Sequence, residues 1–150
     1  MTGKSSDAQK NDIPITIELC LKEVTRMAGK RMISPEFWTD EKLGDCTRDE
    51  RLLFMGLISQ ADDEGRGQGN PKLVKVLVFP YDDDISTNMT ASMLKRLAAM
   101  KLIALYDDGC DHQYYWLPKF LKHQVINKPI PSKLLAPPTT VCKQFPFPNK

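Results

Sequence analysis

Apolar positions along this chain follow a helical rhythm first and a strand rhythm later. After Thr47, the residues Leu53, Phe54, Leu57, Ile58 and Ala61 recur at i, i+3 and i+4, and Leu52 and Met55 widen the stripe. This predicts a helix buried on most sides. Thr47 and Glu50 have capping-box spacing, in which the hydroxyl accepts from the N3 amide and the glutamate reaches back to the cap amide. The helix is predicted to end near Ala61 to Asp63, because Gly65, Gly67 and Gly69 make continuation costly, about 1 kcal/mol each relative to alanine. Asn70 and Pro71 read as the cap and first residue of a second helix. The β-branched run "PKLVKVLVFP" also suits a strand, and Pro80 closes it in either case; a short helix is the reading adopted. Met93, Leu94, Leu97, Ala98 and Met100 predict a third helix from about 88 to 100, with Ser92, Lys95, Arg96 and Ala99 on its other side. Two short β-prone runs follow, "LIALY" and "QYYWLP", joined by the turn-like "DDGCDH" as a hairpin.

Three helices followed by a β-hairpin is the order of a winged helix-turn-helix domain. The predicted fold class is therefore α+β, mainly α, with a three-helix core and a β-hairpin wing over residues 31–128. Residues 1–12 are polar and read as disordered. Residues 13–30 form an extension in which Ile13, Ile15, Ile17, Leu19 and Leu21 alternate like a strand, whereas Leu21, Val24 and Met27 have helical spacing. A helix near 16–28, packed on the main domain or on a partner subunit, is favoured. Residues 129–150 hold six of the eleven prolines and read as a basic, extended arm or linker outside the core.

The 150 residues suit one domain, and no apolar run approaches the ~20 residues that span a bilayer. The N-terminus has no signal-peptide pattern, so a cytoplasmic protein is expected. Cys20, Cys46, Cys110 and Cys142 lie far apart without a Cys-x-x-Cys pair and read as free thiols; Cys110 and His112 lack a second ligand pair for a metal. No cofactor is predicted. The net charge of +2 is unevenly distributed: residues 31–87 carry seven basic and twelve acidic residues, whereas residues 88–133 carry seven and three. This polarity suits a basic face for nucleic acid, or equally surfaces that are solvated differently.

Two acidic runs, "ADDEGR" and "YDDD", are the candidates for catalysis. Consecutive carboxylates in a loop point apart rather than converging on a metal pair, and neither a phosphate loop nor a Ser-His-Asp set is present, so no enzyme is expected. The first run, "QADDEGRG", reads as an exposed loop after a helix, with Gly65 supplying a positive-φ turn and Arg66 offsetting the local charge.

The ordered blocks "SPEFWTDEKL", "ADDEGR", "LIALYDDG" and "KHQVINKP", spanning about residues 31–138, resemble the N-terminal winged-helix domain of phage replisome organiser proteins. The chain is similar in the same way to the N-terminal domain of DnaD-type primosome components. The resemblance implies a role in starting DNA replication, by binding origin DNA and helping to bring the helicase machinery to it. Family members commonly continue into a second domain, so the chain reads either as a stand-alone module or as part of a longer protein. The helix from 88 to 100 matches the recognition helix, the turn from Asp107 to Gln113 the wing tip, and Lys122-His123-Gln124 the start of the basic arm. The wing tip holds Asp107, Asp108 and Asp111, which phosphate repels, so insertion into the minor groove is not expected.

The expected DNA-binding residues are Thr90, Ser92, Lys95 and Arg96 on the recognition helix, with Arg96 able to bind guanine in bidentate fashion. Lys101, Lys119, Lys122, Lys128 and Lys133 would contact phosphates, and His123 would touch DNA or bond the backbone. Lys95 and Arg96 also suit a plain solvated face. Phe37, Trp38, Tyr114, Tyr115 and Trp116 read as packing rather than base-stacking residues. The expected partners are DNA, a replicative helicase or helicase loader, and a second copy of the chain through residues 13–28. The competing reading is a winged helix that scaffolds a primosome through protein contacts, or one that regulates transcription.

Overall fold

Residues 29–145 are described by the computed structural model. Residues 1–28, including nearly all of the predicted extension, lie outside that range. Within it the architecture is α+β, mainly helical, with a small antiparallel sheet of three strands.

A 3-10 turn, Pro35–Trp38, and the one-turn helix α1, Glu41–Gly44, lead into the core. The long helix α2, Arg48–Gln60, opens with the capping box: the Thr47 hydroxyl accepts from the Glu50 amide at 3.1 Å, and the Glu50 carboxylate accepts from the Thr47 amide at 3.0 Å. Strand β1, Arg66–Gln68, separates it from α3, Pro71–Val78, which Asn70 caps through the Lys72 amide. Helix rather than strand therefore wins for this segment. Helix α4, Thr87–Ala99, strands β2, Ala104–Asp107, and β3, Gln113–Trp116, and the short helices α5, Phe120–His123, and α6, Thr139–Cys142, complete the order.

Leu53, Leu57, Val74, Leu94, Leu97 and Tyr115 are all buried in one core where α2, α3, α4 and the sheet meet. Leu52 is half exposed, so α2 buries one broad face and not most of its circumference. The sheet was predicted as a hairpin alone. Its third strand, β1, pairs with β3 in the register Arg66↔Trp116, Gly67↔Tyr115, Gln68↔Tyr114. A Cβ at Gly67 would overlap the Tyr115 ring, so glycine lets this ring lie flat across β1 while its hydroxyl donates to the Leu57 carbonyl at 2.8 Å. Burial pushes the Tyr115 phenol far above its usual range.

The acidic loop is the main departure from expectation. Asp62 and Asp63 are only 4% and 8% exposed, not a solvated connection. Asp62 accepts from the Glu64 and Arg66 amides, both at 3.0 Å, and from the Ser132 hydroxyl. Asp63 pairs with Arg31 at 3.0 Å and accepts from the Ile130 amide at 2.9 Å; Glu64 accepts from the Ser132 amide at 2.6 Å. Gly65 has φ +79, as its turn role requires, and Arg66 lies 3.7 Å from Glu64.

The proline-rich arm, expected to stand outside the core, is laid across the outer face of the sheet. The Leu134 carbonyl accepts from Arg66 at 3.2 Å, the Leu135 carbonyl accepts from the Tyr106 hydroxyl at 2.6 Å, and the Phe145 ring meets Trp116 edge-on at 5.8 Å. The sheet is thus covered on both faces, which explains why Tyr106, Tyr114 and Trp116 all pack. Trp38 does not: it is 67% exposed, and packs only edge-on against the buried Phe37.

Candidate nucleic-acid interface

Helix α4 starts at Ser86, whose hydroxyl accepts from the Met89 amide at 3.1 Å. Thr90, Met93, Leu94 and Leu97 face the core. Asn88, Ser92, Lys95 and Ala99 lie on the exposed side, and the helix carries no carboxylate. This face is small, polar and singly cationic, so another surface can approach its backbone closely.

Two residues expected on that face are engaged elsewhere. Thr90 is fully buried, with its hydroxyl donating to the Ser86 carbonyl at 3.0 Å, and cannot reach DNA. Its position four residues before Leu94 and seven before Leu97 is the periodic signal for this burial. Arg96 bonds the Glu50 carboxylate through Nε at 3.2 Å and the Asp45 carbonyl through Nη2 at 3.2 Å. The guanidinium therefore ties the C-terminal end of α4 to the cap of α2. Two of its three nitrogens are thereby engaged, and the side chain is 52% exposed. Asn88, on the exposed side four residues before Ser92, was missed, although that spacing was available.

The remaining cations divide into two groups. Lys101, Lys119 and His123 line a groove together with Lys42, which sequence reasoning did not single out. The floor of this groove is apolar, made by Phe37, Leu43, Phe54, Ile58, Leu102 and Phe120, and it encloses about 130 Å³. Lys101 sits at φ 60 directly after α4, where the Lys101 amide bonds Ala98 and the Leu102 amide bonds Leu97, the glycine-type helix stop made with a lysine. Lys122, Lys128 and Lys133 are exposed but belong to α5 and the arm, and they do not line the groove.

The turn before α4 and the hairpin tip after β2 are both acidic. Asp82, Asp83 and Asp84, just before it, are exposed. At the hairpin tip, Asp107 and Asp108 accept from the Gly109 and Cys110 amides at 2.9 Å, and His112 Nδ1 lies 2.8 Å from Asp108. The Cys110 amide first, and His112 after it, hold the Asp108 carboxyl below its usual range. His112, the tip's only possible cation, thus already has an anionic neighbour. Among the described residues, no group of three His, Cys, Asp or Glu is arranged to hold a metal ion, and no helix is long and apolar enough to cross a membrane.

Compared with known proteins, the chain matches no protein-family model, no curated protein and no solved structure.

Proposed function

We propose that this protein is a non-enzymatic DNA-binding module of winged helix-turn-helix type, acting in phage-type replication initiation with α4 as its recognition helix. The observation that carries the reading is the order α2–β1–α3–α4–β2–β3, with β1 closing on β3 and a small, carboxylate-free face of α4 turned outward. Arg31, the acidic loop and residues 130–132 bond one another, and Arg66 and Tyr106 bond the arm just beyond. Segments from both ends of the described chain are thus joined at the acidic loop.

On this reading Ser92 and Lys95 contact the duplex directly, while Lys122, Lys128 and Lys133, outside the groove, add phosphate contacts independent of base sequence. The test is a mobility shift with duplex and single-stranded probes at two salt concentrations. The Lys95→Glu/Ser92→Glu variant is expected to weaken duplex binding by about ten-fold or more, with an unchanged melting temperature because both side chains are exposed. Equal affinity for variant and parent overturns the assignment.

A second reading, a winged helix that binds a protein of the replication complex, is favoured by the acidic turns at Asp82–84 and Asp107–111. A winged helix would present both to the duplex beside its recognition helix, where phosphate repels them. Binding to neither probe at low salt would select this second reading.

A further inference from the structure

The groove between α1, α2, α5 and the end of α4 has no part in DNA reading by α4. We propose that it docks an acidic peptide segment of a protein partner through one apolar anchor side chain, with the carboxylates flanking the anchor held by the lysines at the rim. Three observations define this occupant.

Volume comes first. The groove holds about 130 Å³ over a floor of phenylalanine, leucine and isoleucine. A cavity of roughly 150 Å³ with such a lining accepts a benzene-sized group, so one phenylalanine or leucine side chain fits.

Polar capacity comes second. The amide and carboxylate groups that line the groove already have partners. Gln124 accepts from the Met32 amide and donates to the Met32 carbonyl, each at 2.8 Å, and Asp40 caps α1. Hydrogen bonds from its own backbone amide first, and from the Ser34 hydroxyl next, hold the Glu36 carboxyl below its usual range, and His123 adds to this. A nucleobase seated on the apolar floor would pay about 1–3 kcal/mol for each ring nitrogen or carbonyl that loses water there without reaching a donor. An apolar side chain meets no such penalty.

Charge comes third. Lys42, Lys101 and Lys119 stand at the rim, and Lys42 and Lys101 make no side-chain hydrogen bond or ion pair among the described residues. The lining sets three lysines against two carboxylates, Glu36 and Asp40, so its balance of charge is positive. Anionic residues on either side of the anchor complement it.

The proposal is independent of duplex binding by α4, which the Lys95→Glu/Ser92→Glu mobility shift reports separately. The experiment is an NMR titration of the full isotope-labelled chain with the acetylated peptide Asp-Glu-Asp-Phe-Asp-Glu-Asp. The same peptide with alanine for phenylalanine, and an oligothymidylate of equal length, serve as controls. Saturable shifts are expected at the amides of Phe54, Leu102, Phe120 and His123, with a Kd below about 1 mM. The alanine peptide is expected to bind at least about ten-fold more weakly, as is the parent peptide to the Lys42→Glu/Lys101→Glu variant, whose fold is checked by its melting temperature. Failure to see saturable shifts, equal binding of the alanine peptide, or displacement of the peptide by the oligothymidylate overturns the proposal; the last would assign the groove to nucleic acid.

Discussion

The chain contains two acidic runs that look alike, Asp62-Asp63-Glu64 and Asp82-Asp83-Asp84, and they end in opposite environments. The first pair of aspartates is buried and meets five donors: three backbone amides, one hydroxyl and a guanidinium. The second run is exposed throughout, and among the described residues no side chain or amide is bonded to its carboxylates. What separates them is the supply of donors, which come to the first run from residues as distant as Arg31 and Ser132. A carboxylate is kept in a folded interior only where such donors replace its water. The first run is therefore an architectural joint between both ends of the described chain, and the second is a solvated turn whose only leverage is its field.

Removing a carboxylate from the joint should have the largest consequence. In Asp63→Ala the Arg31 guanidinium stays buried, stacked over Phe120 at 5.2 Å, and loses its anion, while the Ile130 amide loses its acceptor. A loss of about 3–5 kcal/mol is expected, read as a lower urea midpoint. Asp62→Ala removes the acceptor of two loop amides and of Ser132, and is expected to cost about 2–3 kcal/mol. If either variant unfolds at the parent's midpoint, the joint is no more structural than the turn, and the contrast collapses.

A gentler cut sharpens the contrast from the other side. Ser132 donates to Asp62 and accepts from the Leu134 amide at 3.1 Å. Ser132→Ala keeps the charges and the loop and removes only this hydroxyl bridge, so about 1 kcal/mol is expected. The change should appear together with faster proteolysis in the arm, because the arm is what the bridge fastens. Loss of stability with unchanged proteolysis would place the serine's effect elsewhere.

The same two regions show what sequence could and could not convey. Signals contained within four residues were legible: the Thr47/Glu50 box, the Asn70-Pro71 start, the stop before Gly65 and the hairpin around Gly109 all appear where spacing placed them. Features that depend on a distant partner were not. Strand β1 is three residues long with glycine at its centre, and it is a strand only because β3, about fifty residues later, pairs with it. The burial of Asp62 and Asp63 depends on residues 31, 130 and 132, and the arm reads as linker because its proline-rich composition carries no sign of the distant Arg66 and Tyr106 that bond its Leu134 and Leu135 carbonyls. At the candidate interface the outward Ser92 and Lys95 were legible from periodicity. The capture of Arg96 was not, because its acceptors Glu50 and Asp45 lie on another element.

The smallest expected effect on the fold belongs to the second run, and it is the one that connects the comparison to function. Converting Asp82, Asp83 and Asp84 together to asparagine removes three negative charges immediately before α4 and breaks no side-chain hydrogen bond among the described residues, so stability should change by less than about 0.5 kcal/mol. Ile85 and Phe79, buried on either side, keep the turn in place. If α4 meets a duplex, the loss of repulsion should raise affinity by about two- to ten-fold at low salt, and the gain should fade as salt screens the field. The measurement is the mobility shift already used for Lys95, repeated at both salt concentrations. Tighter binding that survives high salt would mean that the asparagines make new contacts. No gain at low salt would place the duplex, if it binds, away from the N-terminal end of α4.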